Sequence, residues 1–358
     1  MAAKKPRVSV IVLNWNGIHY TVPCIKALKK QSYRDFEIVV VDNGSTKDDS
    51  VAVLKKMKGI RLVLNPKNLG FAGGNNSGVK AASATEYIAL LNNDTLVPKS
   101  WLKEMVAGMD SHPELGEAMS KVYNRYAEKD YHFGSYGTTT HLLYLALYDF
   151  PVSEKSYVPI FSSSGGAMIY RRKLVQLPFD DDYFIYHEDS YLGWLLRLKG
   201  YKVGVIPKAI VYHEGEATIK DVRGMSSFFA YLGERNRMMN LLLFYSPFTF
   251  LRILPLLIIA TLFTNLYDFR RIPLRLKSYA WILLHIPKIL SKRAAIQGQR
   301  VVPDSEIMVY SSAKLFEGKH FKSPVFRFFA SALNSFSFLY CRITGLKSVE
   351  LSRNKTEF

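Results

Sequence analysis

The first hundred residues alternate between short apolar runs and stretches with apolar residues at helical spacing. Val8-Ser-Val-Ile-Val-Leu-Asn14, Phe36-Glu-Ile-Val-Val-Val-Asp42, Ile60-Arg-Leu-Val-Leu64 and Tyr87-Ile-Ala-Leu-Leu91 are short and mostly β-branched or aliphatic. They predict strands buried on both faces. Thr21 to Lys30 and Asp48 to Met57 predict helices between them. Gly70-Phe-Ala-Gly-Gly-Asn-Asn-Ser-Gly78 reads as a glycine-rich turn opening a helix through Ala84. Strands alternating with helices predict an α/β fold with a mostly parallel sheet covered on both faces.

From about residue 110 to 160 this pattern weakens, and tyrosine, glycine and threonine dominate. It resumes with Ser162-Ser-Ser-Gly-Gly-Ala-Met-Ile-Tyr170, a loop entering a strand. Phe184-Ile-Tyr-His-Glu-Asp189 leads into a helix through Lys199 that stops at Gly200. Lys202 to Ile206 and Ala209 to His213 read as two closing strands.

After Arg237 the chain becomes apolar. Met238 to Tyr267 carries one charge, Arg252, and two prolines. Ser278 to Leu290 and the Phe-rich Phe321 to Ile343 follow, each edged by Lys or Arg. Aromatic, apolar segments with basic flanks suit helices lying in a membrane interface. The expected organisation is therefore a catalytic-type α/β domain over residues 1–240 and a helical, membrane-associating region over 241–358.

Charge sharpens this division. The chain has 358 residues and a formal charge of +18. Residues 1–240 hold 31 Lys/Arg and 24 Asp/Glu, a net of +7; residues 241–358 hold 17 and 6, a net of +11. The denser basic field lies on the apolar tail, which points to an anionic membrane rather than to nucleic acid. No zinc finger, Arg-rich arm or RNA-binding aromatic signature is present. Two cysteines, Cys24 and Cys341, exclude a disulfide framework and a four-cysteine zinc site. No signal-peptide pattern precedes the first strand, so the N-terminal part is expected in the cytoplasm.

Polar residues recur where each strand ends: Asn14 and Asn16, Asp42 and Asn43, then Asn92-Asn93-Asp94. Open α/β sheets bind ligands at the carboxyl ends of their strands. A carboxylate there can hold Mg²⁺ or Mn²⁺ together with substrate phosphates, or simply cap a turn. The glycines after Leu69 can let backbone approach a ligand, or can serve tight packing. Glu188-Asp189 can cap its helix or supply a general base. His213 can be a structural histidine or a ligand to metal or phosphate. Arg235 and Arg237 can contact phosphate or lie on a solvated helix face.

Together and in this order, these pieces resemble the family 2 glycosyltransferases of GT-A fold, in particular the rhamnosyltransferase-like, cell-surface polysaccharide subgroup. The resemblance covers roughly residues 7–240. It implies a GT-A (Rossmann-like) mixed, mostly parallel sheet with helices on both faces. It implies donor nucleotide contacts from Asn14, Asn16, Asp42, Asn43, Gly70, Phe71, Gly73, Asn75 and Asn93. Asp94 stands at the metal-binding DXD position, written here Asn92-Asn-Asp94, with His213 nearby. Gly165 and Gly166 match the loop bordering the acceptor, and Asp189, beside Glu188, matches the base. Tyr191 and Leu195 depart from the acidic and arginine residues common at those positions.

The resemblance implies an inverting transfer of sugar from a UDP-, dTDP- or GDP-type donor to an acceptor hydroxyl, with Mn²⁺ or Mg²⁺ as cofactor. The tail adds a lipid-linked or surface glycan acceptor, met at the cytoplasmic face of the membrane through peripheral or re-entrant attachment. The alternative is a non-catalytic sugar-nucleotide or glycan-binding scaffold on a degenerate version of this fold.

Overall fold

The structure is a computed structural model, and it describes residues 5–124, 135–149, 156–214, 226–318 and 321–352. Much of the weakly patterned region between 110 and 160 lies outside the described residues.

Strands β1 (Val8–Asn14), β2 (Phe36–Asp42), β3 (Arg61–Leu64) and β4 (Tyr87–Asn92) pair in parallel in the order β3-β2-β1-β4. Beyond β4 the sheet continues through β10 (Ala167–Arg171), β6 (Leu115–Asn124), β11 (Lys202–His213) and β5 (Thr95–Leu96). β10 is antiparallel to both neighbours, and β11 runs parallel to β6. The short β9 (Val158–Pro159) adds to β11, and β7 (Ser135–Thr139) with β8 (Leu145–Asp149) forms a separate ribbon. The expected mixed, mostly parallel sheet is thus present.

Strand pleating sorts the core into two layers. Val8, Val10 and Val12 of β1 join one buried cluster with Cys24, Ile25 and Leu28 of α1 (Ile18–Lys29) and Trp101, Leu102 and Met105 of α4 (Trp101–Ser111). Ile11 joins the opposite cluster with Val79 of α3 (Gly70–Ala81) and Leu192 and Trp194 of α5 (Glu188–Leu198). Helix α2 (Ser50–Lys56) packs beside β3.

The glycine-rich segment is a correction to the expected turn: it forms α3 itself. Beyond Gly70, whose φ is +75°, its glycines give space rather than flexibility. A Cβ on Gly78 would lie 2.4 Å from Ile11 Cγ2 and 2.9 Å from Val41 Cγ2. Helix and sheet therefore touch almost backbone to side chain. The two expected closing strands are also one: β11 runs unbroken from Lys202 to His213, with a register shift against β6 between Ile206 and Ile210. Pro207, which cannot donate to a ladder, sits in that irregularity.

The C-terminal third is helical: α6 (Ser226–Phe244), α7 (Pro247–Tyr267), α8 (Ile272–Leu284), α9 (Ile286–Gln297), α10 (Asp304–Met308), α11 (Pro324–Thr344) and α12 (Val349–Ser352). The apolar run from Met238 to Tyr267 is broken at Ser246, whose hydroxyl accepts from the Thr249 amide and caps α7. Residue 240 falls inside α6. Phe244 stacks on Trp194 of α5 at 5.0 Å between ring centroids, and Leu256 and Phe263 of α7 share the cluster that holds Ile11.

Gly78→Ala tests the helix–sheet contact. Alanine is the better helix former by about 1 kcal/mol. Overpacking in a filled core costs about 1–3 kcal/mol. The variant is expected to lower the denaturant midpoint; a gain in stability would refute the close packing.

Candidate active site

The chain order of the parallel strands reverses between β1 and β4, which opens a crevice at their carboxyl ends. Register brings the polar termini level there: Asn14 lies opposite Asp42, and Leu13 opposite Asn92. The Asn14 side chain is fully buried and joins the ends. Its Nδ2 donates to Asp42 Oδ2 (2.8 Å), Ser50 Oγ (2.9 Å) and Ser45 Oγ (3.2 Å), while Oδ1 accepts from Thr21 Oγ1 (2.7 Å). Asp42 Oδ1 accepts from the Ser45 amide. Asn43 Nδ2 donates to Asn68 Oδ1 and Gly70 O, and its Oδ1 accepts from Asn65 and Leu69. Asn14, Asp42 and Asn43 are buried fasteners of the crevice wall. Asn16, with φ +50°, reaches the rim, where its Oδ1 accepts from the amides of Thr46 and Lys47.

Gly73 and Asn75 are likewise committed inside α3. A Cβ on Gly73 would meet Leu69 Cβ at 2.9 Å, and Asn75 Nδ2 donates to Phe71 O. Gly70 has φ +75° and abuts Phe184, where any Cβ would stand 2.3 Å from the Phe184 carbonyl oxygen. The Phe71 ring lies against Gly165. The glycines thus fit α3 to its neighbours.

Asn93 donates to Thr21 Oγ1 at 2.9 Å and turns the chain toward Asp94. Pairing of β5 with β11 then places His213 opposite Thr95. Asp94 Oδ1 and His213 Nε2 are 3.0 Å apart, and the Asp94 carbonyl accepts from the Glu214 amide. Among the described residues no group of three His, Cys, Asp or Glu converges as a metal cluster. Two donors 3.0 Å apart match adjacent vertices of an octahedron with bonds of about 2.1 Å. Ions of that kind complete their shells with water and substrate phosphates. The pair supplies one carboxylate oxygen and one imidazole nitrogen, a partial donor set that fits a divalent cation whose remaining ligands come from water or substrate.

Asp189 stands at the start of α5, half-buried, facing the Gly165 amide and accepting from the Ser190 amide at 2.6 Å. The Gly166 carbonyl accepts from the Asn92 amide at 2.9 Å, so this loop ties α5 to the strand end that leads to Asp94. Burial raises the Asp189 pKa. Glu188 is raised well above the ordinary carboxylate range, first by burial and then by Asp189; its Oε2 has no hydrogen-bond partner among the described residues. A raised carboxylate pKa moves a general base toward neutral pH.

The backbone before this pair is unusual. Phe184, Tyr186 and His187 have φ of +62°, +71° and +65°. Non-glycine residues held there cost about 1–3 kcal/mol each and persist only when their surroundings enforce the shape. Enforcement comes from α6. Arg235 is turned inward to the carbonyls of Asp182 and Tyr183. Arg237 is buried against Glu234 (2.7 Å) and the Leu142 carbonyl (3.0 Å). Both guanidiniums are consumed inside the protein, which corrects their expected phosphate contact.

Sequence reasoning missed two further groups. Arg197 of α5 is buried and donates to the carbonyls of Phe161 and Ile160. Glu117 of β6 is fully buried near Ser163, Asp189 and Arg197, and burial pushes its pKa up to about 8. A charged residue interrupting the apolar β6 run is the signal that could have found it.

Comparison with known proteins agrees with this geometry. Residues 9–177 match the family model described as Glycosyl transferase family 2. A Haemophilus influenzae protein described as a glycosyltransferase is 29% identical over 236 residues, covering 61% of this chain and 72% of its own. The chain spans less than a fifth of the length of three Rickettsia glycosyltransferase relatives. The Escherichia coli UDP-Glc:alpha-D-GlcNAc-diphosphoundecaprenol beta-1,3-glucosyltransferase WfaP is 28% identical over 126 residues, 35% of this chain and 48% of that one. Among solved structures, Staphylococcus aureus TarS 1–349 matches with a TM-score of 0.50 at 18% identity over 95% of this chain and 92% of its own. GalNAc-T7, solved with UDP, GalNAc and Mn²⁺, matches with a TM-score of 0.51 at 16% identity over 57% of this chain and 42% of its own. The fold is that of the GT-A glycosyltransferases.

Glu117 makes stability depend on pH. Its pKa is about 8 when folded and near 4.5 when unfolded, so the folded state binds the proton more tightly. Stability contributed by that proton is full below about 4.5 and is lost as pH rises toward 8. Glu117→Gln mimics the neutral form. The wild type should lose more melting temperature between pH 5 and 8 than the variant; parallel curves would rule this out.

Proposed function

Residues 9–177 belong to glycosyl transferase family 2, and from that premise we propose that the protein is an inverting nucleoside-diphosphate-sugar transferase. The observation that carries the proposal is the continuous path from Asp189 through Gly165-Gly166 and Asn92 to the Asp94–His213 pair. It links the Asp189 carboxylate to the Asp94–His213 pair, which supports a base and a diphosphate-bearing cation meeting at one crevice.

Asp94 and His213 would hold Mn²⁺ or Mg²⁺, which supplies charge neutralisation for the departing diphosphate. The protein's own groups do the rest. Asp189 takes the proton of an acceptor hydroxyl as that oxygen bonds the anomeric carbon from the face opposite the leaving group. The bond from that carbon to phosphate oxygen breaks, and its electron pair leaves with the nucleoside diphosphate. The Gly165 amide and the α5 N-terminus hold the carboxylate in place. Asn16 and the Ser45-Thr46 turn form the donor-facing rim. Retained Asp94 and Asp189 favour this reading over a non-catalytic scaffold.

We place the acceptor at a lipid surface on the cytoplasmic side. Helix α7 is long and apolar enough to cross a membrane, with mean hydropathy 1.8. Its inner face is packed on the protein: Ile253, Leu256, Leu257 and Ala260 are buried. Its outer face exposes Phe248, Leu251, Ile258, Leu262 and Leu266. Helix α11 runs alongside, joined by the Tyr340 hydroxyl donating to the Arg252 carbonyl, and exposes Val325, Phe328, Phe329, Phe336, Leu339 and Ile343. Apart from the adjacent Phe328 and Phe329, these residues recur at spacings of three, four and seven, which forms one stripe per helix. Arg327 and Arg342 lie exposed near the ends of the α11 stripe. Two half-buried helices with apolar outer stripes and basic ends suit attachment in the plane of an anionic interface.

Asp189→Asn is expected to lower turnover about 10²- to 10⁴-fold while donor binding, read as a thermal shift with UDP-, GDP- and dTDP-sugars plus Mn²⁺, stays near wild type. Because burial raises the Asp189 pKa, wild-type activity should fall with acidification above the pH of an ordinary aspartate, near 4. Unchanged turnover in the variant would remove Asp189 as the base. For the membrane face, the protein is expected to float with phosphatidylglycerol-containing liposomes. A Phe328→Ser, Phe336→Ser, Leu339→Ser variant should float several-fold less. Equal flotation of both would reject that face.

A further inference from the structure

Helix α6 contains two buried asparagines with an uncommon hydrogen-bond load. Asn236 Nδ2 donates to the carbonyls of Tyr183 (2.9 Å), Ile185 (2.9 Å) and Tyr186 (2.8 Å). Its Oδ1 accepts from Arg235 Nε (3.0 Å) and Nη2 (2.8 Å), and that guanidinium also reaches the Asp182 carbonyl. One turn on, Asn240 Nδ2 donates to the His187 carbonyl at 2.9 Å, and its Oδ1 accepts from the Tyr183 hydroxyl. The remaining carbonyl of the segment, Phe184 O, accepts from the Ala72 amide at the start of α3. Every carbonyl from Asp182 to His187 is thereby bound, and five of the six are bound by α6. This is the segment with three left-handed, non-glycine residues. Asp189 follows it by two residues.

Backbone carbonyls in a solvated loop can take water, and then nothing fixes their direction. Here side-chain amides replace water with donors of set position. A right-handed conformation at Tyr186 or His187 would swing its carbonyl off Asn236 or Asn240 and re-aim the start of α5. We infer that Asn236 and Asn240 are positioning residues for Asp189: through the 182–187 carbonyls they set the direction in which the carboxylate faces the Gly165 loop. The inference rests on the reading of Asp189 as the base.

The clamp has a second support outside α6. Asp182 pairs with Lys288 at 2.6 Å and with Lys292 at 2.6 Å, and Asp180 also pairs with Lys292, all from α9. Asn76 of α3 donates to Asp181 Oδ1 and the Phe179 carbonyl, both at 2.7 Å. The segment is thus held at its start by α3 and α9, and its last turn toward Asp189 by the two asparagines together with the Tyr191 amide on the His187 carbonyl.

The test uses the full chain with Mn²⁺ and UDP-glucose, UDP-N-acetylglucosamine, GDP-mannose and dTDP-rhamnose, read as nucleoside diphosphate release. Amide hydrogen exchange over 183–191 is followed in parallel. Asn240→Asp keeps the acceptor for the Tyr183 hydroxyl and loses the donor to His187. Asn236→Ala removes the triple donation. Misplacement of a reacting group by about 1 Å can cost about 10²-fold. For the donor that the wild type turns over, each variant is expected to lose at least about tenfold in kcat with donor KM changed less than about threefold. Exchange should quicken at 185–190 while the strands stay protected. Wild-type kcat, or unchanged exchange at 185–190, in variants with native circular dichroism would overturn the inference. If Asn236→Ala does not fold, Asn240→Asp decides alone by both readouts. Turnover surviving in Asp189→Asn would instead defeat the base assignment. A dead Asp189→Asn beside fully active Asn variants would defeat this inference only.

Discussion

The hub at Asn14 is the constraint on which the crevice depends. One buried amide spends both its ends on four side chains from α1, β2, the loop after it and α2. Removing it would leave Asp42 buried without its side-chain donor, and an unsatisfied buried charge is costly. The hub also explains why polar residues recur at strand ends that look ligand-facing in sequence. Strand ends in a fully covered sheet must stop together to leave a flat floor, and polar fasteners are how they stop. Only after Asn14, Asp42 and Asn43 have fixed the floor do Asp94, His213 and Asn16 have a defined place to project.

Electrostatics across that floor divide in two. On one side Asp94 and His213 are near enough to share a cation. On the other, Glu188 and Glu117 are buried and Asp189 is half-buried, and the pKa values of all three rise because charge is poorly solvated there. In the proposed reaction this division separates proton removal, among the carboxyl groups, from phosphate departure beside the Asp94–His213 pair. Carboxylates gathered around a metal would have their pKa values lowered and their lone pairs engaged, which weakens them as bases.

The sequence made the scaffold legible where one force dominated. Burial on both faces explains why β1, β2 and β4 could be read nearly to the residue. It failed where two forces gave the same letters. Gly70 to Gly78 resembles a loop because glycine permits loops, yet here glycine answers close packing against Ile11 and Val41. Pro207 split β11 on paper, while pairing with β6 carries the strand through it. Arg235 and Arg237 look like surface cations by composition; their carbonyl and Glu234 partners lie 52 or more residues away or one turn along, and no local pattern encodes the distant ones. Asn236 and Asn240 are missed for the same reason. A buried amide that serves backbone carbonyls leaves no periodic trace.

Helix α6 makes the two halves of the chain mechanically inseparable. Its polar face grips the segment before Asp189, while α8 and α9 pack against it and α9 sends Lys288 and Lys292 to the same segment. Those helices belong to the layer that carries the apolar outer stripes. A force on that layer therefore has a short route to the proposed base: through α9 to Asp180 and Asp182, and through α6 to the carbonyls of 182–187. A catalytic domain merely tethered to a lipid surface would need no such route. Placing the segment before Asp189 between the sheet and the C-terminal helices means that the orientation of Asp189 and the seating of the helical layer are solved by one set of contacts, so changes to either will be felt at the other.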